Sequence, residues 1–119
     1  MSGDPKIANA MRSMVQTDMD LTSATLKLKS DAVQVRLSVA SPMNIDNIIT
    51  DHWKGRKIQI VAHEDNGDTI TIRDNQSGSN IEVNSTSIAL GAGDSVWFRA
   101  AKPGGVEHWY QDSDVANVS

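Results

Sequence analysis

Apolar and polar residues alternate through a series of short runs between residues 57 and 111, and turn residues separate the runs. In the run KIQIVA at 57–62, Ile58 and Ile60 point to one face and their neighbours to the other, which is typical of a strand with one buried face. Asn66-Gly67 follows and favours a type I′ turn, so we predict a β-hairpin over 57–73. Turn residues and apolar alternation then predict four more strands, whose apolar positions are Ile81 and Val83, Ile88 and Leu90, Val96 and Phe98, and Trp109.

The first half of the chain repeats the pattern once and then loses it. Residues 25–29 and 33–39 alternate around Ser30-Asp31, which predicts a second hairpin. Pro42 ends the strand because proline lacks the ladder donor. From 43 to 54 the isoleucines Ile45, Ile48 and Ile49 take helical spacing over a short stretch, which predicts a turn of helix or an irregular plug at one end of the sheets.

The N-terminal segment carries a helix-start signal. Asp4 can cap free backbone N–H groups, and a proline, here residue 5, suits the first helical position. Ile7, Met11 and Met14 then fall on one side at helical spacing, which predicts a short amphipathic helix over 5–16. Such a helix is too short to be stable alone in water. It is a terminal helix docked on its own domain, a frayed tail, or an arm that packs on a neighbouring chain through its adaptable methionines.

These elements predict an all-β chain of one domain. The strands recur at short spacing with no helical crossover, which favours an antiparallel β-sandwich or a jelly-roll-like barrel with a short N-terminal helix or arm. We predict an arm or short helix at 1–20, a β-sandwich domain at 21–111 and a flexible tail at 112–119. The length of 119 residues allows a single compact core.

Composition and charge exclude several classes of function. The net charge is −4 with no cluster of Lys and Arg, so we expect no nucleic-acid partner. The chain has no cysteine, which excludes a disulfide framework and a cysteine metal site. No run approaches the roughly 18 apolar residues of a membrane helix, and no signal peptide is evident. We therefore expect the protein to be synthesised in the cytoplasm and not to associate with a membrane.

The sequence offers little support for a catalytic or a metal-binding site. The histidines 52, 63 and 108 do not share zinc-site spacing, and most acidic residues fall in turns, where they serve the backbone. The sequence has no Gly-x-Ser-x-Gly nucleophile elbow. The acidic turn at 65–68 lacks the spacing of an EF-hand, and a hairpin turn explains it without an ion. We predict no enzymatic activity, no cofactor and no metal.

The tryptophans are the candidates for partner contact, because only 4% of the residues are aromatic. Trp97 lies between Val96 and Phe98 and so faces away from them, toward the outer face of its sheet. An exposed tryptophan on a sheet is an anchor for a partner protein or a sugar ring, although another strand or subunit can also cover it. We predict partner contacts at Trp97, at Trp53 and on the apolar side of the N-terminal segment formed by Ile7, Met11 and Met14.

Five segments resemble a known kind of module. They are GRKIQI at 55–60, ITIRD at 70–74, NIEV at 80–83, LGAGDSVWF at 90–98 and HWYQ at 108–111. Together they are similar to the β-modules of tailed-bacteriophage virion proteins, which occur in tail fibres, head fibres and capsid decoration proteins. The likeness covers residues 55–111, and the turn NQSG at 75–78 departs from the plain Asp-Gly of the pattern.

The resemblance implies a non-enzymatic virion component, commonly a homotrimer. Because the chain begins with its own Met and a candidate arm, we expect a capsid decoration, or cement, protein that binds the major capsid protein of a phage head and stabilises the shell. The alternative is a tail-tip or fibre receptor-binding module in which Trp97 and Trp53 contact a host glycan. Either function places the protein in the virion.

Overall fold

The computed structural model describes residues 17–28, 32–50, 55–74, 79–101 and 108–117, and every regular element in these ranges is a strand. The strands are β1 (Thr17–Asp20), β2 (Thr25–Lys27), β3 (Gln34–Ser38), β4 (Met43–Ile45), β5 (Asn47–Ile49), β6 (Lys57–Ala62), β7 (Ile70–Arg73), β8 (Ile81–Glu82), β9 (Ser87–Leu90), β10 (Asp94–Ala101), β11 (His108–Gln111) and β12 (Ala116–Asn117). The predicted all-β class is confirmed. The strands predicted from 81 to 111 are present as β8 to β11.

The strands form one large sheet and two small ones. The large sheet has the order β1-β3-β6-β10-β11-β8, with β12 paired to β10. The small sheets are β4-β7-β9 and β2-β5. The large sheet contributes Ile60 and Phe98 to a core cluster that also contains Leu26 of β2 and Ile72 of β7. A single core shared by all three sheets makes the fold sandwich-like.

Pairing within the sheets is mixed. β10 is antiparallel to both β6 and β11, whereas β3 is parallel to both β1 and β6. The parallel pairs β1–β3 and β3–β6 arise where the chain passes through the small sheets between two strands of the large one. The chain leaves β1, passes through β2 in a small sheet and returns as β3, so that β1 and β3 point the same way, much as a crossover connection makes parallel strands.

The hairpin predicted over 57–73 is wrong. β6 already has β3 and β10 on its two sides, and β7 pairs instead with β4 and β9. Nor is the turn of type I′, because Gly67 does not have a positive φ. Instead, the Asn66 side chain bonds the end of β3: its Nδ2 donates to the Leu37 carbonyl at 2.9 Å, and its Oδ1 accepts from the Val39 N–H at 3.2 Å. The local Asn-Gly signal therefore marks a connection between sheets.

The second predicted hairpin and the predicted plug are also wrong within the described residues. β2 pairs with β5, whereas β3 lies in the large sheet, so the two do not form a hairpin. Residues 43–45 and 47–49 form β4 and β5. Ile48 is fully buried and Ile49 is 44% exposed, which is the alternation of a strand and not the common face of a helix. Residues 51–54 lie outside the described ranges.

A tight turn connects the small sheet to the centre of the large one. Gly93 has φ 78° and lies between β9 and β10, where the Asp94 carboxylate accepts from the Gly91 N–H at 2.9 Å. Gly93 itself donates to the Ala62 carbonyl at 2.9 Å. A left-handed backbone conformation at a buried position favours glycine. This turn starts β10 in a fixed register beside β6, and β10 carries Trp97.

The two ends of the described chain are both built into the large sheet. β1 is an edge strand, and the Leu21 N–H after it donates to the Ser38 carbonyl at 2.9 Å. At the other end, β12 pairs with Asp94 and Ser95 of β10. The sequence did not predict either strand. The predicted helix over 5–16 lies outside the described residues.

Candidate binding surface

Trp97 stands on the outer face of the large sheet, near its middle. Along β10, Val96 and Phe98 are buried in the core, and Trp97 between them is half-buried on the opposite face. Its backbone is held on the side of β11, because its N–H donates to Ser113 Oγ at 3.0 Å and its carbonyl accepts from the Asp112 N–H at 2.8 Å. The backbone that presents the indole is thus fixed by hydrogen bonds.

A chain of polar side chains runs from β3 to β10 beside this indole. Gln59 is the direct cross-strand neighbour of Trp97, and Gln34 is the neighbour of Gln59. Gln34 Nε2 donates to Gln59 Oε1 at 2.7 Å, and Gln59 Nε2 donates to Ser95 Oγ at 3.3 Å. The hydrogen bonds order both amides on the sheet surface.

Planar and charged side chains lie on the other side of Trp97. The Arg99 guanidinium is 5.9 Å from the centre of the Tyr110 ring, a cation–π distance. Asp112 lies between two cations, with its carboxylate 3.3 Å from Lys57 Nζ and 3.8 Å from Arg99 Nε. Both cations therefore lie beside the same carboxylate.

We call this surface the Trp97 face. It consists of the outward side chains of Gln34, Lys57, Gln59, Trp97, Arg99 and Tyr110. It combines two aromatic rings, two ordered amides and two cations on one sheet surface. Such groups can stack on a flat ligand and exchange hydrogen bonds with it.

Farther along the same sheet, Arg36 bridges two acidic side chains. Its guanidinium contacts Asp18 of β1 at 2.8 Å and Glu64 at 3.3 Å. The hydrogen bond to Asp18 raises the pKa of Arg36. The pKa of Glu64 is lowered, mainly by a hydrogen bond from the backbone N–H of Glu64 itself and to a smaller extent by the positive charge of Arg36. These contacts join the edge strand to β3 and to the connection after β6.

The histidines of the described residues are separate from one another. His63 Nδ1 accepts from the Asp65 N–H at 3.0 Å, and His108 Nδ1 lies 3.5 Å from Glu82 Oε2. In the part of the chain that the structure describes, no three His, Cys, Asp or Glu residues converge on a metal position. No helix within those same ranges is long and apolar enough to cross a membrane.

The structure describes one of the five predicted partner-contact residues. Trp97 lies on the outer face, as its position between two core residues predicted. Trp53 and the N-terminal residues Ile7, Met11 and Met14 lie outside the described residues. The sequence analysis missed the companions of Trp97, of which Arg99 lies on the same strand and the rest come from three other strands. Alternation identifies the outward residues of each strand, but only the strand order brings them together.

No family model matches the chain, and no curated protein sequence or solved structure is significantly similar to it.

Proposed function

We propose that the protein is a non-enzymatic phage virion component, a capsid decoration protein that binds the head shell as a homotrimer. The attribution to a phage is supported by the motifs between residues 55 and 111. Decoration requires a rigid body and a segment that grips a preformed lattice, and it stabilises the shell by burying interface and not by chemistry. The partner is the major capsid protein, and the location is the virion.

The observation that carries the proposal is the attachment of the N-terminal segment to the sandwich. Residues 17–20 were expected to be part of an arm, yet they form β1 in the large sheet, with Met19 packed against the core. Asp18 is bonded to Arg36 of β3 through two hydrogen bonds of 2.8 and 3.1 Å. A segment that ends in an ordered strand can transmit force between a bound partner and the domain.

In this proposal the residues before β1 hold the shell, through Ile7, Met11 and Met14. The Trp97 face belongs to the folded domain and does not need that segment. The contributions of the two surfaces to binding can therefore be tested separately by mutation.

The experiment measures mass in solution by light scattering and then pelleting with undecorated phage heads. We expect a trimer that pellets with the heads, and loss of pelleting when residues 1–16 are deleted. Replacing Ile7, Met11 and Met14 by Ser should have the same effect without shortening the chain. Ile49→Ser, which changes an exposed isoleucine of β5, is the matched control and should still pellet. A monomer at micromolar concentration that does not bind heads would refute the proposal.

A second candidate is a receptor-binding module of a tail tip or fibre. The Trp97 face favours it, because aromatic and amide side chains share one surface. Deletion of residues 1–16 separates the candidates, since binding through the Trp97 face should survive it.

A further inference from the structure

We propose that the Trp97 face binds an uncharged oligosaccharide made of hexopyranose units. The inference deepens the receptor-binding candidate by naming its ligand class, and it does not depend on capsid decoration. It rests on the groups that the face offers, on the acidic neighbour beside each of its cations and on its lack of exposed aliphatic side chains.

The face offers stacking groups beside hydrogen-bonding groups. A pyranose ring has an apolar C–H side and a rim of hydroxyls, so it suits a surface where an aromatic ring lies next to amides. The Trp97 indole and the Gln59 amide are direct cross-strand neighbours, a spacing of about 5 Å between their Cβ atoms. Gln34 extends the amide row by one more strand. A sugar stacked on the indole can therefore place hydroxyls on the amides.

Several polar groups of the face have no partner within the described residues. They are the indole N–H of Trp97, the hydroxyl of Tyr110 and the Oε1 atom of Gln34. They provide a donor, a group that both donates and accepts, and an acceptor, which together match the dual character of sugar hydroxyls. The ordered Gln34–Gln59 bond reduces the entropy lost on binding.

The charges favour a neutral ligand over an anionic one. Lys57 and Arg99 both lie within 4 Å of the Asp112 carboxylate, so a negative ligand would have to compete with it. Beyond them, Arg36 is occupied by Asp18 and Glu64. No cation of this surface is left without an acidic neighbour. A neutral polar chain leaves these ion pairs intact.

The same surface lacks exposed aliphatic side chains that could form the centre of a protein interface. A stable protein interface has a fully buried apolar centre. Within the described residues, the exposed large aliphatic side chains are Val33, Ile49 and Val115, and none belongs to the Trp97 face. A protein partner would have to desolvate the ordered amides and paired charges, whereas sugar hydroxyls can form hydrogen bonds with the amides as water does.

The test is an NMR titration of the full chain labelled with ¹⁵N. The probes are neutral hexasaccharides of glucose, galactose, mannose and N-acetylglucosamine, with hexagalacturonate as the anionic comparison. We expect at least one neutral probe to shift the Trp97 indole signal together with the side-chain amide signals of Gln34 and Gln59. Hexagalacturonate should shift them less than that neutral probe does.

Variants distinguish a stacking site from an indirect effect. Trp97→Ala should weaken the binding of the neutral probe by about tenfold, and Trp97→Phe by less, because phenylalanine keeps a smaller stacking ring. Gln34→Ala, which leaves the indole intact, should also weaken binding. Ser87→Ala, on the exposed side of β9, is the control and should bind as the parent does.

The proposal is overturned if none of the four neutral probes shifts these signals at about 1 mM. It is equally overturned if the shifts map to another surface, or if Gln34→Ala and Trp97→Phe both bind like the parent. Loss of capsid pelleting does not bear on it, because the titration uses no capsid. Conversely, a failed titration leaves the decoration experiment unaffected.

Discussion

The side chain of Asn80 pairs with the backbone of Ile48 as a neighbouring strand would. Asn80 Oδ1 accepts from the Ile48 N–H at 2.9 Å, and Asn80 Nδ2 donates to the Ile48 carbonyl at 2.7 Å. One amide thus satisfies both polar groups of a residue whose side chain is completely buried. Because Asn80 immediately precedes β8, the contact joins the small sheet β2-β5 to the edge of the large sheet.

Removing this amide should destabilise the fold. In Asn80→Ala, two backbone groups lose their partner, and an unsatisfied buried polar group costs about 1–3 kcal/mol. We expect a decrease in the free energy of unfolding in that range, measured by urea denaturation. Asn84→Ala is the matched control, because Asn84 is exposed and it is its backbone N–H that donates to Gln111 Oε1. Equal effects of the two substitutions would contradict the bridging role of Asn80.

Adjacent isoleucines on β5 should respond differently to truncation. Ile48 is fully buried and Ile49 is 44% exposed. Ile48→Ala should lower the free energy of unfolding by about 2–5 kcal/mol, through lost burial and the cavity that remains. Ile49→Ala should change it by about 0.5 kcal/mol or less, as surface substitutions do. The pair also tests the local structure: in a helix Ile45, Ile48 and Ile49 would share one face, and the second substitution would then be costly as well.

The sequence predicted the buried faces better than the neighbours of each strand. Alternation identified Ile58 and Ile60 as sharing one face of a strand with one buried face, and both are fully buried. Trp97 was placed on the outer face for the same reason. These predictions need only the period of a strand, which is set by local geometry.

Strand pairing could not be predicted, because the sequence signals for a hairpin are local. Which strands become neighbours depends instead on segments that are distant in the chain. Asn66-Gly67 predicted a hairpin, but β10 returns from the far end of the chain to take the place beside β6. The isoleucines at 45, 48 and 49 were assigned to a helix or plug because two three-residue strands separated by Asp46 mimic helical spacing. The companions of Trp97 depend on the same strand order, so the sequence identified one residue of the face and not the face itself.

The ion pair between Arg73 and Asp46 should contribute more than the one between Arg36 and Asp18. Arg73 Nε and Nη2 donate to the two Asp46 oxygens at 2.7 and 2.6 Å, and this contact raises the pKa of Arg73. The side chain of Asp46 is 15% exposed, whereas that of Asp18 is 55% exposed. Both pairs are bidentate, but the hydrogen bonds of the 73/46 pair are shorter than the 3.1 and 2.8 Å of the 36/18 pair. Shorter hydrogen bonds and reduced contact of the carboxylate with water both strengthen an ion pair.

Double-mutant cycles on the two pairs measure the difference. The substitutions are Arg73→Gln with Asp46→Asn and Arg36→Gln with Asp18→Asn, each made alone and together. We expect a larger coupling energy for the pair 73/46, and a smaller decrease of it in 0.5 M NaCl. The prediction fails if salt reduces both couplings equally or if the exposed pair has the larger one.

Glu64 should make the stability of the fold depend on pH in the acidic range. Its pKa is lowered in the folded chain by a hydrogen bond from its own backbone N–H and by Arg36. A carboxyl whose folded pKa lies below the unfolded value, about 4.3, stabilises the fold above that pH, and the contribution is lost as the pH falls through the folded pKa. Glu64→Gln should therefore be less stable than the parent at pH 7, and the difference should shrink as the pH falls below about 4.3 and disappear once the pH is below the folded pKa.

The titration of the Glu64 carboxyl, followed by ¹³C NMR, separates the two causes. In Arg36→Gln the folded pKa of Glu64 should rise toward its ordinary value but remain below it, because the hydrogen bond from its backbone N–H persists. In the parent, 0.5 M NaCl should produce a shift in the same direction, since salt screens the exposed ion pair more than the local hydrogen bond. A Glu64 pKa at its ordinary value in the parent, or one that Arg36→Gln leaves unchanged, would show that the bridge seen here between β3 and the connection after β6 does not form in solution.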